Sequence, residues 1–398
     1  MSDGSSRFTS DRRARGAASW SDGSDWAAGT AENVEVTAGG LVGRPPVQNG
    51  GVSEFVRNHR VIGGRSGLYA VSATDGGGMW TYSVGNDEFT SPAVVNETVF
   101  VGRQDGNLYA IDALEGTRKW LYSAGGSIQS SPAVVGGTVY VGSNDGKLHA
   151  VSAADGSVLW TYSTGNIVKS SPAVVDGVVY IGDHGGEIHA IHADDGTGKW
   201  THTIGGSIYS LPAVVDGMVY VGTYNGTLAA IGVADGVEEW TYGTSGGIFS
   251  SVAVADGGVY AGSMDDRLHA VDASDGSREW AFSTGGVVYS SPAVVNGTVF
   301  VGSNDGNLYA VDSVTGSEQW RYATEDPVKS SPAVVDGTVY IGGFDQNLHA
   351  VNAVDGSAVW ASRVGSGISY SSTIGGADGW CFTNRPGVIG NTEPLAPF

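Results

Sequence analysis

A single cysteine, Cys381, is present among 398 residues, which excludes an intramolecular disulfide and any site built on several thiolates. Lysine is nearly as scarce, with only Lys119, Lys147, Lys169, Lys199 and Lys329. With 41 acidic against 20 basic residues and a net charge of −21, the surface repels phosphate backbones, which argues against nonspecific nucleic-acid binding. No apolar run approaches the ~18 residues that mark a membrane-spanning helix, and no segment sustains a 3.6-residue period. Arg12-Arg13 lacks the apolar segment that follows a twin-arginine signal. As written, the chain carries no export signal, so the default expectation is cytoplasmic, and extracellular if the start is misassigned.

Glycine and acid are what the chain has in excess. The 64 glycines follow no every-third-residue rule, which excludes collagen. They sit between short apolar runs, as turns between many strands do. The acidic surplus makes the folded chain repel itself in dilute buffer, a load that salt screens. Together with the few lysines, this points to a halophile, with an archaeal source the natural expectation.

One spacing dominates. Trp recurs at 80, 120, 160, 200, 240, 280, 320 and 360, and Ser-Pro recurs at 91–92, 131–132, 171–172, 291–292 and 331–332. A fixed period of this size marks a repeat architecture. Each unit reads as four strands. In 331–370, PAVV is followed by Asp336-Gly337, TVYIGG, the turn FDQN, LHAVNA, Asp355-Gly356 and SAVWASRV. Val, Ile, Tyr and Trp alternating with small or polar residues favour strand, and Asp-Gly is a hairpin signal. Four antiparallel strands in about 40 residues make one propeller blade. The proline lacks a donor and belongs on the edge strand facing the channel.

Eight Trp predict eight outer strands. The first unit lacks the SPAVV segment, and the chain beyond Tyr370 supplies one in SSTIGGADGWCF, read as the inner strand or as two strands completing the first blade. The expected fold is therefore an all-β, eight-bladed propeller of four-stranded antiparallel blades over 51–385, its ring closed by N- and C-terminal segments sharing a blade. The second strand of that blade comes from 60–63 or from 379–382. Residues 1–50 do not repeat and read as a disordered leader, and 386–398 as a disordered tail.

The units VDASDGSREW (271–280), IDALEGTRKW (111–120) and VDSVTGSEQW (311–320) resemble the tryptophan-docking motif of the pyrroloquinoline quinone (PQQ) repeat propellers. The resemblance implies that Trp80, Trp120, Trp160, Trp200, Trp240, Trp280, Trp320 and Trp360 each dock on an adjacent blade. The family includes PQQ-dependent alcohol dehydrogenases and BamB-type assembly scaffolds. Its dehydrogenases hold PQQ and calcium at one end of the channel, using a vicinal cysteine pair, acidic and amide ligands and an Asp base, inside long inter-blade insertions. Here Cys381 is alone and every unit from 91 to 370 has the same length of 40. Both departures count against an enzyme. No cofactor is expected, with PQQ and calcium as the alternative.

The loop ahead of each inner strand carries a variable column in a constant frame: Phe89, Gln129, Lys169, Tyr209, Phe249, Tyr289, Lys329 and Ser369. Read functionally, it is a ring of side chains at one mouth of the channel, with Asp87, Glu88, Glu325 and Asp326 near the same rim. Read structurally, the same column plugs the channel or packs between blades. His149, His189, His269 and His349 share another column with Tyr69, Tyr109 and Tyr309. They lie on different blades, too far apart to converge on one metal. His184, His192 and His202 crowd near His189 and Asp183, but His189 and His192 fall on opposite strand faces. SNDG at 143–146 and 303–306 reads as turn chemistry rather than a calcium loop. Asn96, Asn225 and Asn296 stand in N-x-T sequons at turns.

The functional expectation is a noncatalytic, monomeric binding or assembly scaffold that recognises a protein or small ligand at the channel mouth or rim. Two other readings stand beside it: a PQQ- and calcium-dependent dehydrogenase of alcohols or sugars, and an exported, glycosylated cell-surface propeller. The charge balance yields a test of its own. Thermal unfolding should be cooperative in molar KCl, with the midpoint falling steadily as salt is removed. A midpoint unchanged down to dilute buffer would refute the halophilic reading.

Overall fold

A computed structural model describes residues 35–37, 40–42, 59–63, 67–85, 89–363, 372–375 and 381–383. The repeat unit is built by its turns. Asp336 and Gly337 have φ of 48° and 71°, the left-handed pair that a two-residue hairpin requires. They join Ala333–Val335 to Thr338–Gly342. Asn347–Asn352 and Ala358–Arg363 follow as third and fourth strands. The second and third strands of each unit are almost wholly buried, whereas the fourth alternates between exposed and half-buried positions. That gradient is what stacked sheets with a wet outer edge produce. No helix of the described residues is long and apolar enough to cross a membrane.

The serines of the SSP segments explain the inner edge. Ser330 Oγ donates to the Gly342 carbonyl and accepts from the Gly342 N–H, and Ser250 does the same with Gly262. The side chain thus continues the ladder where the short inner strand has not yet begun. The second serine works around the ring. Leu211 N–H donates to Ser251 Oγ, Ser251 N–H to Ser291 Oγ, and Ser291 N–H to Ser331 Oγ.

The expectation of eight four-stranded blades is corrected. Seven sheets are four-stranded blades, formed in chain order between Ala93 and Arg363. The two ends of the chain form a five-stranded sheet instead, in which Cys381–Thr383, Ser372–Gly375, His59–Gly63, Leu68–Ser72 and Gly78–Tyr82 lie side by side. Counting Trp residues could not reveal this, because the added strand lies at the far edge of the sheet from Trp80. It pairs antiparallel with Ser372–Gly375, Thr373 opposite Thr383 and Gly375 opposite Cys381. The open question of the second strand is settled in favour of the N-terminal segment, since Arg60, Val61 and Ile62 pair with Ile374, Thr373 and Ser372. Within 1–50, strands Glu35–Thr37 and Gly40–Val42 pair with each other. The rest of that leader and the tail 386–398 lie outside the described residues.

Neighbouring sheets are fastened by one recurring contact. Each indole N–H donates to a backbone carbonyl of the next sheet: Trp80 to Ala113, Trp120 to Ala153, Trp160 to Ala193, Trp200 to Val233, Trp240 to Ala273, Trp280 to Ser313 and Trp320 to Ala353. Trp360 donates to Ala73 across the chain ends. The ring plane rests on the glycine of the accepting turn. Gly276 has φ of 71°, and a Cβ there would stand 2.5 Å from Trp240 Cε3. The glycine of the motif therefore has two reasons to be glycine, its backbone conformation and the approach of the indole.

A second fastening lies nearer the channel's variable mouth. The Tyr122 hydroxyl donates to Nδ1 of His149 in the next sheet at 2.8 Å, and His149 Nε2–H donates to Asp145 at 3.2 Å. Tyr242–His269–Asp265 and Tyr322–His349–Asp345 repeat the arrangement. Where the column holds Tyr109, its hydroxyl donates directly to Asp105, and Tyr309 does the same to Asp305. His and Tyr interchange there because each donates a hydrogen bond to the same turn carboxylate.

Two predictions follow from these contacts. Trp240→Phe removes one hydrogen bond, worth about 1 kcal/mol, whereas Gly276→Ala adds backbone strain and a ring clash and should cost about 2–4 kcal/mol. Denaturant midpoints would rank them, and an equal or reversed ranking would refute the contact's role. Burial holds the His149 pKa below its ordinary value of 6.5, outweighing the Asp145 carboxylate. A depressed pKa means the unfolded chain takes up the proton first, so this stability is present above pH about 6.5 and is lost as pH falls through the folded value. His149→Tyr should reduce the loss of stability between pH 6.5 and 5, and an unaltered pH profile would contradict this.

Candidate functional site at the channel mouth

The loops ahead of the inner strands and the turns between second and third strands share one face of the ring. A backbone hydrogen bond ties each turn to its loop. His184 N–H donates to Ile167 O, Tyr224 to Ser207 O, Met264 to Gly247 O, and Phe344 to Pro327 O, at 2.8–3.1 Å. The frame holds two columns of side chains side by side: the loop column anticipated from the sequence, and a turn column that was not.

The two columns interlock over half the ring. Tyr209 and Phe249 stack with centroids 4.5 Å apart, and Phe249 meets Tyr289 edge to face at 5.7 Å. From the turn column, His184 packs on Tyr209 at 4.6 Å and Tyr224 at 5.7 Å. Lys169 Nζ lies 5.6 Å from the Tyr209 centroid. At the other end, Lys329 Nζ lies 5.3 Å from Tyr289 and 4.8 Å from Phe344. An ammonium over an aromatic face is held by the ring quadrupole. The result is an arc of aromatics with a lysine at each end. Phe249 is 38% and Tyr224 50% exposed, and Lys169, Tyr209, Tyr289 and Lys329 are half-buried. Burial, then the nearby Lys169 charge, depress the His184 pKa, so its ring stays neutral at pH 7. Its Nε2 is buried without a hydrogen-bond partner among the described residues. Burial raises the Tyr209 hydroxyl pKa.

Not every anticipated residue joins the arc. Phe89 is 1% exposed and packs on Tyr82 and Tyr109 with the Arg103 guanidinium over its ring, so it belongs to the core. Gln129 is half-buried outside the aromatic cluster. Glu325 and Asp326 are exposed. Ser369, Asp87 and Glu88 lie outside the described residues. The turn column escaped notice because SNDG-like segments read as turns, and they are turns: Asp145 and Asp305 each accept a hydrogen bond from a following N–H. Asn96 and Asn296 occupy positive-φ turn positions, and Asn225 accepts from Thr223 Oγ1.

Asp183, Glu187 and His189 bring ligand atoms within 4.8 Å of one another, a grouping that strand alternation did not anticipate. Asp183 stands two positions earlier than the turn aspartates of other repeats. It still takes their part, accepting from Glu187 N–H, Asn166 Nδ2 and His189 Nε2. His192 is exposed, and His202 pairs with Glu238. Calcium requires six to eight convergent oxygens. Asp265, Asp305 and Asp345 are instead spent on the fold, Asp265 on Ser245 N–H and His269, Asp305 on Gly285 N–H and Tyr309, Asp345 on His349, and the exposed Glu325 and Asp326 join no group of converging ligands among the described residues. The described residues therefore do not fit a calcium-quinone centre at this mouth.

The profile of the family described as outer membrane protein assembly factor BamB matches residues 11–167, 163–250 and 243–376. A search of curated proteins finds no match. Among solved structures, BamB from Moraxella catarrhalis is similar at 22% identity and a TM-score of 0.61, over 75% of this chain and 89% of that one. The computationally designed Ika8 protein is similar at 16% identity and 0.64, over 76% and 92%. A europium-containing methanol dehydrogenase is similar at 16% and 0.65, over 76% and 83%. At these identities the structural likenesses establish the fold alone. The profile match, which spans most of the chain, establishes that the chain belongs to the PQQ-like repeat propeller family of the BamB type.

Proposed function

We propose that this protein is a noncatalytic binding scaffold whose partner, an extended segment of another protein, lies across the aromatic arc of the channel mouth. Membership of a BamB-type family supports a binding or scaffold role. The observation that carries the placement is the continuous row of ring contacts Tyr209–Phe249–Tyr289, stacked at one junction and edge to face at the other, contributed by three successive repeats and left partly exposed. Aromatic side chains in water at a ring's mouth are costly for solubility and suited to recognition. The enzyme alternative draws on a fold likeness to methanol dehydrogenase, but Asp265, Asp305 and Asp345 at the mouth are engaged in structural bonds.

A photo-crosslinking amino acid at Tyr224 should give one dominant adduct in cells of the source organism. Tyr209→Ala with Tyr289→Ala should reduce that adduct at least tenfold. Val158, exposed on an outer strand, serves as the control position. An equal adduct from Val158, or one indifferent to the double variant, would remove the mouth as the binding site.

A further inference from the structure

The chemistry of the arc specifies its ligand further, on the premise that the mouth is the binding face. We propose that the segment it takes is acidic and carries aromatic or large apolar side chains, its carboxylates meeting Lys169 and Lys329 and its apolar groups lying on Phe249 and Tyr224.

Four observations converge. First, two of only five lysines in a chain of charge −21 stand on this face, four repeats apart, one at each end of the arc. Second, neither ammonium has a carboxylate within ion-pair distance among the described residues. Each rests on aromatic rings instead, which leaves its remaining donors for a ligand. Third, Asp265, Asp305 and Asp345 do not neutralise the lysines, because backbone N–H groups and the His and Tyr side chains already claim them. Fourth, His184, neutral and with an unpartnered Nε2, adds a polar group against Tyr209 without adding charge.

The rest of the surface sharpens the choice. The acidic body repels an acidic segment, exposed Glu325 and Asp326 on the Lys329 loop included, so the two lysines are the contacts that attract it and set its register. Single-stranded nucleic acid would also stack on aromatics. It needs a basic groove along its backbone, and two lysines at the ends of an arc do not make one.

The test is a random twelve-residue peptide library selected on the intact protein, with Lys169→Gln/Lys329→Gln and Phe249→Ala proteins of matched thermal midpoint as counter-targets. The expected result is at least threefold enrichment of Asp and Glu together with Phe, Tyr and Trp. The double lysine variant should bind the selected peptides at least tenfold more weakly, and Phe249→Ala should abolish the enrichment. Enrichment of neutral or basic peptides that still depend on Phe249 would overturn the acidic assignment and leave the mouth reading intact. Enrichment indifferent to Phe249, or none at all, would overturn both. Displacement of the peptides by oligothymidylate at concentrations below the peptides' own Kd would reassign the arc to single-stranded nucleic acid.

Discussion

The fold depends on an indole laid on a glycine. Each Trp donates its N–H to a carbonyl in the next sheet, and its ring covers a glycine that must have positive φ. Neither partner tolerates displacement: the hydrogen bond fixes one end of the indole and the glycine fixes its face. Because each sheet touches mainly its two neighbours, the structure is a sum of nearest-neighbour terms, and this contact is common to all of them. It accounts for the unvarying repeat length. An insertion between the glycine and the Trp that follows it would rotate the next indole off its own turn. Closure matters for the same reason. Trp360 reaches Ala73, so the five-stranded sheet built from both chain ends is fastened like the seven blades beside it.

A frame so tightly specified confines variation to positions that do not touch it. The loops and turns of the mouth are such positions. Their backbones are pinned to one another by N–H donors of residues such as His184 and Tyr224, while Tyr209, Phe249 and Tyr289 meet one another from repeat to repeat. The frame is near-symmetric and the mouth is not. The arc from Lys169 to Lys329 is aromatic, while Phe89 turns inward to the core and Gln129 carries no ring. Asymmetry on a repeating scaffold, at partly exposed loop positions, is the physical ground for proposing recognition there.

Much of this was legible in the sequence because repeats align themselves. The Trp spacing, the Asp-Gly hairpins and the inner-edge prolines each had a single structural reading. Tyr209, Phe249 and Tyr289 stood out as variation inside a constant column. The misses have specific causes. Period counts outer strands and is blind to the added strand Cys381–Thr383 on the opposite edge. Phe89 aligns with Tyr209, but its burial comes from Tyr82 and Arg103, a tertiary circumstance that no column displays. His184, Tyr224 and Phe344 were hidden by their surroundings, since an SNDG-like segment is fully explained as a turn and gives no cue that its second residue faces a site. Comparing that position across repeats, where Asn gives way to His, Tyr and Phe, carries the missing signal.

The electrostatics of the mouth change character with ionic strength. At ~0.1 M salt the Debye length is ~10 Å, and at ~1 M it is ~3 Å. In dilute buffer the acidic body therefore opposes an acidic ligand at long range, even as Lys169 and Lys329 attract it at contact. In molar salt the body's repulsion is screened to nothing beyond the first layer of atoms. A lysine–carboxylate pair in direct contact loses less, because little solvent lies between the charges. Burial of apolar surface is strengthened by excluded salts. On the proposed reading, an arc of aromatics bounded by two lysines would keep its selectivity in high salt, with the rings supplying affinity and the lysines acting only within reach of a hydrogen bond. The same chemistry on an open, lysine-rich patch would lose its selectivity under those conditions, and five lysines in the whole chain could not have built one.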